Sequence, residues 1–256
     1  MPGAPYEVVE GPDDARAMIV CDHASRYIPP ELGSLGLEET LLYRHIAWDI
    51  GAGDVARRLA ALLHLPAVLC GTSRLVIDCN RPLDAPTSIP DVSDGIEVPG
   101  NRDLSSDQRE DRQQRFFRPY HDEVERRLDE FSARGRVPAV ISVHSFTPIM
   151  EGFERPWHVG LLWDHDTRMA LPVVEQLKRN PALNVGENQP YNGWDPSGYA
   201  IHVYGEQRGL PMCVFEIRQD LIDTHHGAEE WAHILAAALR PVLADDSLYQ
   251  VLSYSP

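Results

Sequence analysis

His23 and His144 each stand at the end of a short apolar run, and a carboxylate, Glu216, interrupts a third. Met18-Ile19-Val20 and Val137 to Val143 are bounded by polar or turn-forming residues. Each reads as a buried strand delivering an imidazole to its exit. Met212 to Ile217 has the same strand pattern with Glu216 inside it, and a buried carboxylate is costly unless it is paired or used. Asp78, Asn80 and Arg81 close a further apolar run, and Asp49 lies nearby in sequence. Two histidines and one carboxylate are a usual ligand set for catalytic zinc, with the fourth position open to water. Such a metal brings that water's pKa towards neutrality and polarises a bound carbonyl. Glu216 could then act as general base, passing the water's proton to a departing nitrogen. Arg74, Asn80 and Arg81 could bind substrate carboxylates, and Arg74 could alternatively steady a tetrahedral oxyanion. The local HExxH helix signature of many zinc hydrolases is absent.

The elements that would position these groups alternate. After the first strand, Glu38 to His45 reads as a short helix. Ala52, Val55, Ala56, Leu59, Leu62 and Leu63 recur at helical spacing. Asp49 stands near the start of that helix, where an N-cap role is the ordinary alternative to metal binding. Residues 67–70 and 75–78 read as strands and 83–104 as a long surface loop, a length often tied to function. Ser105 to Gln108 resembles a capping box opening a long helix with Phe116, Tyr120, Val124, Leu128 and Phe131 on one face. Residues 157–163 form a strand pattern, 167–179 a helix, 188–198 a turn-rich loop and 199–207 a short helix. A closing helix carries Ala228, Trp231, Ala232, Leu235 and Leu239. This alternation predicts a single α/β domain, a three-layer α/β/α sandwich around a mostly parallel or mixed sheet.

Composition narrows the partners. A net charge of −16 argues against nucleic acid and anionic membrane surfaces, both of which call for a basic footprint. An anionic substrate would need local arginines to overcome that field. No apolar stretch approaches the roughly 20 residues of a membrane span. The N-terminus has neither the basic start nor the apolar core of a signal peptide, so the expectation is a cytoplasmic protein. Cys21, Cys70, Cys79 and Cys213 lie in or beside apolar runs without CxxC spacing and read as buried free thiols. Ser145 follows His144, but a G-x-S-x-G elbow is absent, and the serine reads as a support near the metal. His158, His165 and the pair His225-His226 read as surface or structural. His202, with Tyr199 in a loop-rich segment before the Glu216 strand, is the candidate for lining a substrate pocket. Arg218 either binds an acidic substrate side chain or pairs with Asp220.

Five segments occur in order: Val-Cys-Asp-His-Ala-Ser-x-x-Ile-Pro, Ala-Trp-Asp-Ile-Gly-Ala, Ser-Arg-Leu-Val-Ile-Asp-Cys-Asn-Arg-Pro, Ser-Val-His-Ser-Phe-Thr-Pro and Phe-Glu-Ile-Arg-Gln-Asp-Leu-Ile. Together they resemble the N-formylglutamate amidohydrolase family from about residue 17 to 223. The resemblance implies a zinc exopeptidase-like sandwich that hydrolyses a small anionic N-acyl amino acid with one Zn2+. It would make His23 and His144 zinc ligands and Glu216 the base. It would put Asn80 and Arg81 on the substrate α-carboxylate and Arg74 near the scissile carbonyl. The first motif of the related carboxypeptidases is His-x-x-Glu, whereas Arg26 stands at the Glu position here. Asp49, within a matched segment, is therefore taken as the third ligand, with Asp22 its rival. The first motif also reads His-Ala-Ser where the better-defined formylglutamate hydrolases have His-Ser-Gly. The expected activity is thus an amidohydrolase for an N-acyl acidic amino acid such as N-formylglutamate. The alternatives are a deacylase or peptidase for another small N-acyl amino acid, and a carboxylate-binding protein that has lost its metal.

Overall fold

The structure, a computed structural model, describes residues 3–195 and 198–254. Beside two small two-stranded hairpins at 92–97 and 149–154, the main sheet among these residues has seven strands: β1 (Tyr6–Val9), β2 (Ala17–Cys21), β3 (Ala67–Cys70), β4 (Ala139–Phe146), β5 (Val159–Leu162), β6 (Val185–Glu187) and β7 (Met212–Arg218). Their order is β1-β3-β2-β4-β7-β5-β6. The central pairs β3/β2, β2/β4 and β4/β7 are parallel, as is β5/β6 at one edge, while β1/β3 and β7/β5 are antiparallel. The expected mixed α/β sheet is therefore present. β2 and β4 are buried along their whole length, as strands covered by helices on both faces must be, and this explains their near-continuous apolar runs.

Among the described residues there are five α-helices: α1 (Ala52–Leu63), α2 (Ser106–Arg112), α3 (Arg118–Ala133), α4 (Ala170–Lys178) and α5 (His225–Leu243). α1 packs on β2, β3, β4 and α5; α5 also packs on α4; α3 packs on β3. The apolar stripe read for α1 is the buried one, with Val55, Ala56 and Leu59 fully enclosed. The predicted capping box is formed: Gln108 N donates to Ser105 Oγ, and Ser105 N donates to the Gln108 side chain. The long helix it opens is interrupted by a π-helical turn, Gln113–Phe117, which buries Phe116 and Phe117 together.

Several predicted elements differ. Residues 75–78 are not a strand but part of an irregular turn that buries Leu75, Val76 and Ile77. Its carbonyls are satisfied by side chains instead of a ladder: Asn101 Nδ2 donates to Leu75 O and Arg112 NH1 to Val76 O. Those donors come from the far end of the 83–104 loop and from α2, so local pattern could not announce them. The predicted helix over 38–45 is a 3-10 turn, Glu39–Tyr43, and the 199–207 segment holds a π-helical turn, Ile201–Glu206. β4 runs past Val143 through Phe146, so His144 lies inside the strand and not at its exit. The short edge strands β1 and β6 carry no strong pattern and escape sequence reading. The predicted loop 188–198 includes residues 196 and 197, which lie outside the described residues.

Candidate active site

Three strands and two turns deliver the site. The residues after β2 place Asp22 and His23 beside His144, in the C-terminal half of β4. Within β4/β7, His144 is the direct register partner of Glu216, which also faces Gly160 of β5. Asp49 reaches the same place from the turn before α1. There Gly51 adopts φ +79°, and a Cβ on it would stand 2.1 Å from the Ile222 carbonyl, so only glycine lets this turn lie against residue 222. The irregular 73–81 turn supplies Arg74, Asp78, Asn80 and Arg81.

The geometry converges on one carboxylate oxygen. Asp49 Oδ2 is 2.9 Å from His144 Nδ1 and 3.3 Å from His23 Nδ1, and the backbone N–H of Ser145 donates to it at 3.2 Å. The imidazole centres lie 5.1 Å apart at 73°. One ligand atom from each of His23, Asp49 and His144 falls within 4.8 Å of the others, and all three residues are buried. The outer nitrogens also face carboxylates, and that of His23 is hydrogen-bonded. His23 Nε2 is 2.7 Å from Asp78 Oδ1, and His144 Nε2 is 3.3 Å from Asp22 Oδ2. Tyr120 in turn donates to Asp22 at 2.6 Å. Carboxylates behind imidazoles are the arrangement that fixes the tautomer of metal-ligating histidines. Asp22, the rival third ligand, therefore stands behind His144, not between the two rings.

Electrostatics suit a cation. Burial works against the charge of Asp49, yet the two histidines outweigh it and hold its carboxyl well below the ordinary range. Asp22 is lowered against burial by His144, and Asp78 is lowered well below its ordinary value, against burial, by Arg74 and His23. Burial and Arg74 oppose a charge on His23, but Asp78 and Asp49 raise it. His144 is raised well above the ordinary value, against burial, by Asp22 and Asp49. Arg74 donates to Asp78 at 2.9 and 3.1 Å and to Asp49 at 3.3 Å. Three buried aspartates held as carboxylates around two imidazoles, with Arg74 offsetting only part of their charge, make a place that favours bound positive charge. Glu216 is different: burial pushes it up to about 7, and Asp49 adds to the rise. Its Oε2 is buried without a hydrogen-bond partner, as expected of a group kept for chemistry.

A cleft of about 160 Å³ opens over these groups, lined among others by His23, Asp49, Arg74, Asn80, Arg81, His144, Ser145 and Glu216. Asn80 Oδ1 accepts from the backbone N–H groups of Tyr199 and Ala200 at 2.9 and 3.1 Å, which fixes the side chain in the cleft wall with its amide oxygen already occupied. Ser145 donates its hydroxyl to Ile50 O and so braces the Asp49 turn. Three expected substrate contacts do not line the cleft. The Tyr199 ring packs against Phe117, His121 and Tyr204. His202 lies beside the Asp195 carbonyl. Arg218 is paired with Asp220 at 2.8 and 3.2 Å, so of its two readings the ion pair is the one present. Conversely, Tyr191, Asn192 and Gly193 line the cleft and were read only as loop. A Cβ on Gly193 would stand 2.1 Å from Trp163 O, so the glycine lets this loop seat on the end of β5. The four cysteines are buried and unpaired. Cys79 is held well above an ordinary thiol by its contact with Cys70 and by burial, which disqualifies it as a nucleophile.

No curated protein matches the chain. A crystal structure of a gene product from Agrobacterium tumefaciens is 34% identical, with a TM-score of 0.89 over 95% of this chain and 96% of that one. The crystal structure of N-formylglutamate amidohydrolase from Ralstonia eutropha JMP134 shares the fold, with a TM-score of 0.70 at 18% identity over 93% of this chain and 97% of that one. The pattern of the N-formylglutamate amidohydrolase family matches residues 15–223, and the chain belongs to that family.

Proposed function

We propose that the protein is a metal-dependent amidohydrolase that cleaves the amide bond of a small N-acyl acidic amino acid such as N-formylglutamate. One observation carries the metal dependence: two imidazole Nδ1 atoms meet Asp49 Oδ2, while the outer nitrogens of the same rings face Asp78 and Asp22. His23, Asp49 and His144 would hold the ion, and zinc fits two nitrogens and one oxygen with a position left open. Bound there, the ion would polarise the scissile carbonyl and acidify an attacking water.

The chain's own groups supply the rest. Glu216, raised to about 7 by burial, takes the proton of the attacking water and returns it to the leaving nitrogen. Arg74, fixed by Asp49 and Asp78 at the cleft wall, donates to the oxygen on which charge develops. Asn80 and Arg81 bind the substrate α-carboxylate; among the described residues no carboxylate pairs with Arg81. The family match supports amide hydrolysis, and the supply of arginine supports an anionic substrate.

The test is formate release from N-formylglutamate by zinc-loaded protein, beside a panel of N-acetyl and N-formyl amino acids. Turnover of N-formylglutamate supports the full reading. Turnover of other members alone shifts the substrate and keeps the chemistry. No turnover of any member contradicts the proposal.

A further inference from the structure

Arg155 is an anomaly in this fold. It is only 8% exposed, and buried arginines are nearly always ion-paired. Arg74 and Arg218 have their aspartates, and the buried Arg112 is satisfied by Val76 O, Gly100 O and Asn101 Oδ1. Arg155 NH1 instead makes two long contacts to neutral oxygens, Thr147 O and the Tyr191 hydroxyl, both at 3.3 Å. Among the described residues no carboxylate is its partner. Its guanidinium stands 5.0 Å from the centre of the Tyr191 ring and 5.7 Å from that of Phe146.

The direction of the Tyr191 contact matters. The phenol oxygen accepts from Arg155, so its own O–H is left to donate elsewhere, and Tyr191 lines the cleft that holds Glu216 and Arg81. Burial and the Glu216 charge hold the phenol above its ordinary pKa, so it keeps its proton at neutral pH. The loop is preset, because Asn188 Oδ1 accepts from Trp163 N and Gly193 N at 3.0 and 3.1 Å. A phenol backed by a buried, unneutralised cation is a donor suited to an anionic oxygen.

Resting on the reading of the cleft as a site for N-acyl amino acids, we infer that Tyr191 binds a second substrate carboxylate, the acidic side chain, with Arg155 as the positioning residue behind it. The cleft then has two cationic poles, Arg81 and Arg155–Tyr191, and selects dianionic N-acyl amino acids over neutral amides of the same shape. This is the role that the sequence offered to Arg218.

Calorimetric titration of zinc-loaded Glu216→Gln protein with N-formylglutamate and N-formylglutamine tests this, since the two ligands differ by one charge and turnover is suppressed. The expected preference for the glutamate derivative is about tenfold or more, in keeping with a hydrogen bond to a charged group. Tyr191→Phe and Arg155→Met each bring the ratio to within about threefold, and Arg155→Lys restores most of it. No preference in the parent, or an equal loss of both ligands in the variants, overturns the inference, because a structural or oxyanion role would not distinguish the two. Turnover by the unsubstituted enzyme reads the underlying function separately. Hydrolysis of both ligands with a ratio untouched by Tyr191→Phe keeps that function and sinks this subsite. A Tyr191-dependent binding preference without hydrolysis does the reverse.

Discussion

Replacing Asp78 by asparagine keeps the side-chain shape and removes the charge shared by His23 and Arg74. Asp78 Oδ1 faces His23 Nε2 at 2.7 Å and accepts from Asn80 N at 2.9 Å, while Oδ2 receives both Arg74 contacts. An asparagine can present an oxygen to only one of these two sets. Loss of a carboxylate behind a metal-ligating histidine typically costs 10- to 100-fold in metal affinity, about 1.4–2.7 kcal/mol. Breaking the partly buried pair with Arg74 also costs the metal-free fold about 1–3 kcal/mol. That is below the usual figure for a buried pair, because the Arg74 side chain is 24% exposed and Asp49 remains beside it. Competition of the protein with a chromogenic chelator for zinc reads the first quantity, and thermal unfolding of the metal-free protein reads the second. Wild-type zinc affinity in Asp78→Asn, whatever its melting temperature, would refute the assignment of Asp78 as the group that orients His23.

Glu216→Gln is expected to lower kcat by about 10²- to 10⁴-fold with zinc content unchanged, because it removes proton transfer and no ligand; a loss of zinc would show instead that Glu216 belongs to the ligand set. In the metal-free protein Asp22, Asp49 and Asp78 have folded pKa values below their unfolded ones. Their stabilisation is therefore complete above about pH 4 and is lost as the pH falls through the folded values. Glu216 is raised to about 7, so its proton favours the fold below the unfolded value near 4.5, and that advantage is lost as the pH rises to 7. Melting temperature against pH should thus decline from about 4.5, with the raised His23 and His144 adding to the decline above about 6.5, and Glu216→Gln should flatten the part below about 6.5; an unchanged slope there contradicts the burial argument. Gly193→Ala forces a Cβ against Trp163 O and should raise KM several-fold through displacement of Tyr191, with zinc affinity intact; steady-state kinetics on the two proteins decide it.

Much of this was legible because the central strands carry it. β2, β4 and β7 are buried on both faces, so their apolar runs stand out, and His23, His144 and Glu216 are polar exceptions in or beside those runs. What escaped depends on contacts distant in sequence. The 73–81 turn has a strand's composition, but its carbonyls are claimed by Asn101 and Arg112. The roles of Asp22 and Asp78 behind the imidazoles require the register of three elements. Tyr191 and Arg155 lie in segments with no periodicity, and only the fold shows that Tyr191 lines the cleft and that Arg155 meets it across 36 residues. A signal was present for Tyr191, since the turn-rich 188–198 loop immediately precedes the segment read as pocket-lining.

The central claim is that His23, Asp49 and His144 form a metal centre, and metal stoichiometry by elemental analysis of the untagged protein tests it most directly. The account predicts about one divalent ion per chain after zinc loading and gel filtration, and its loss in folded His144→Ala. Protein that retains no metal after loading, or a His144→Ala variant that holds the wild-type amount, would contradict it.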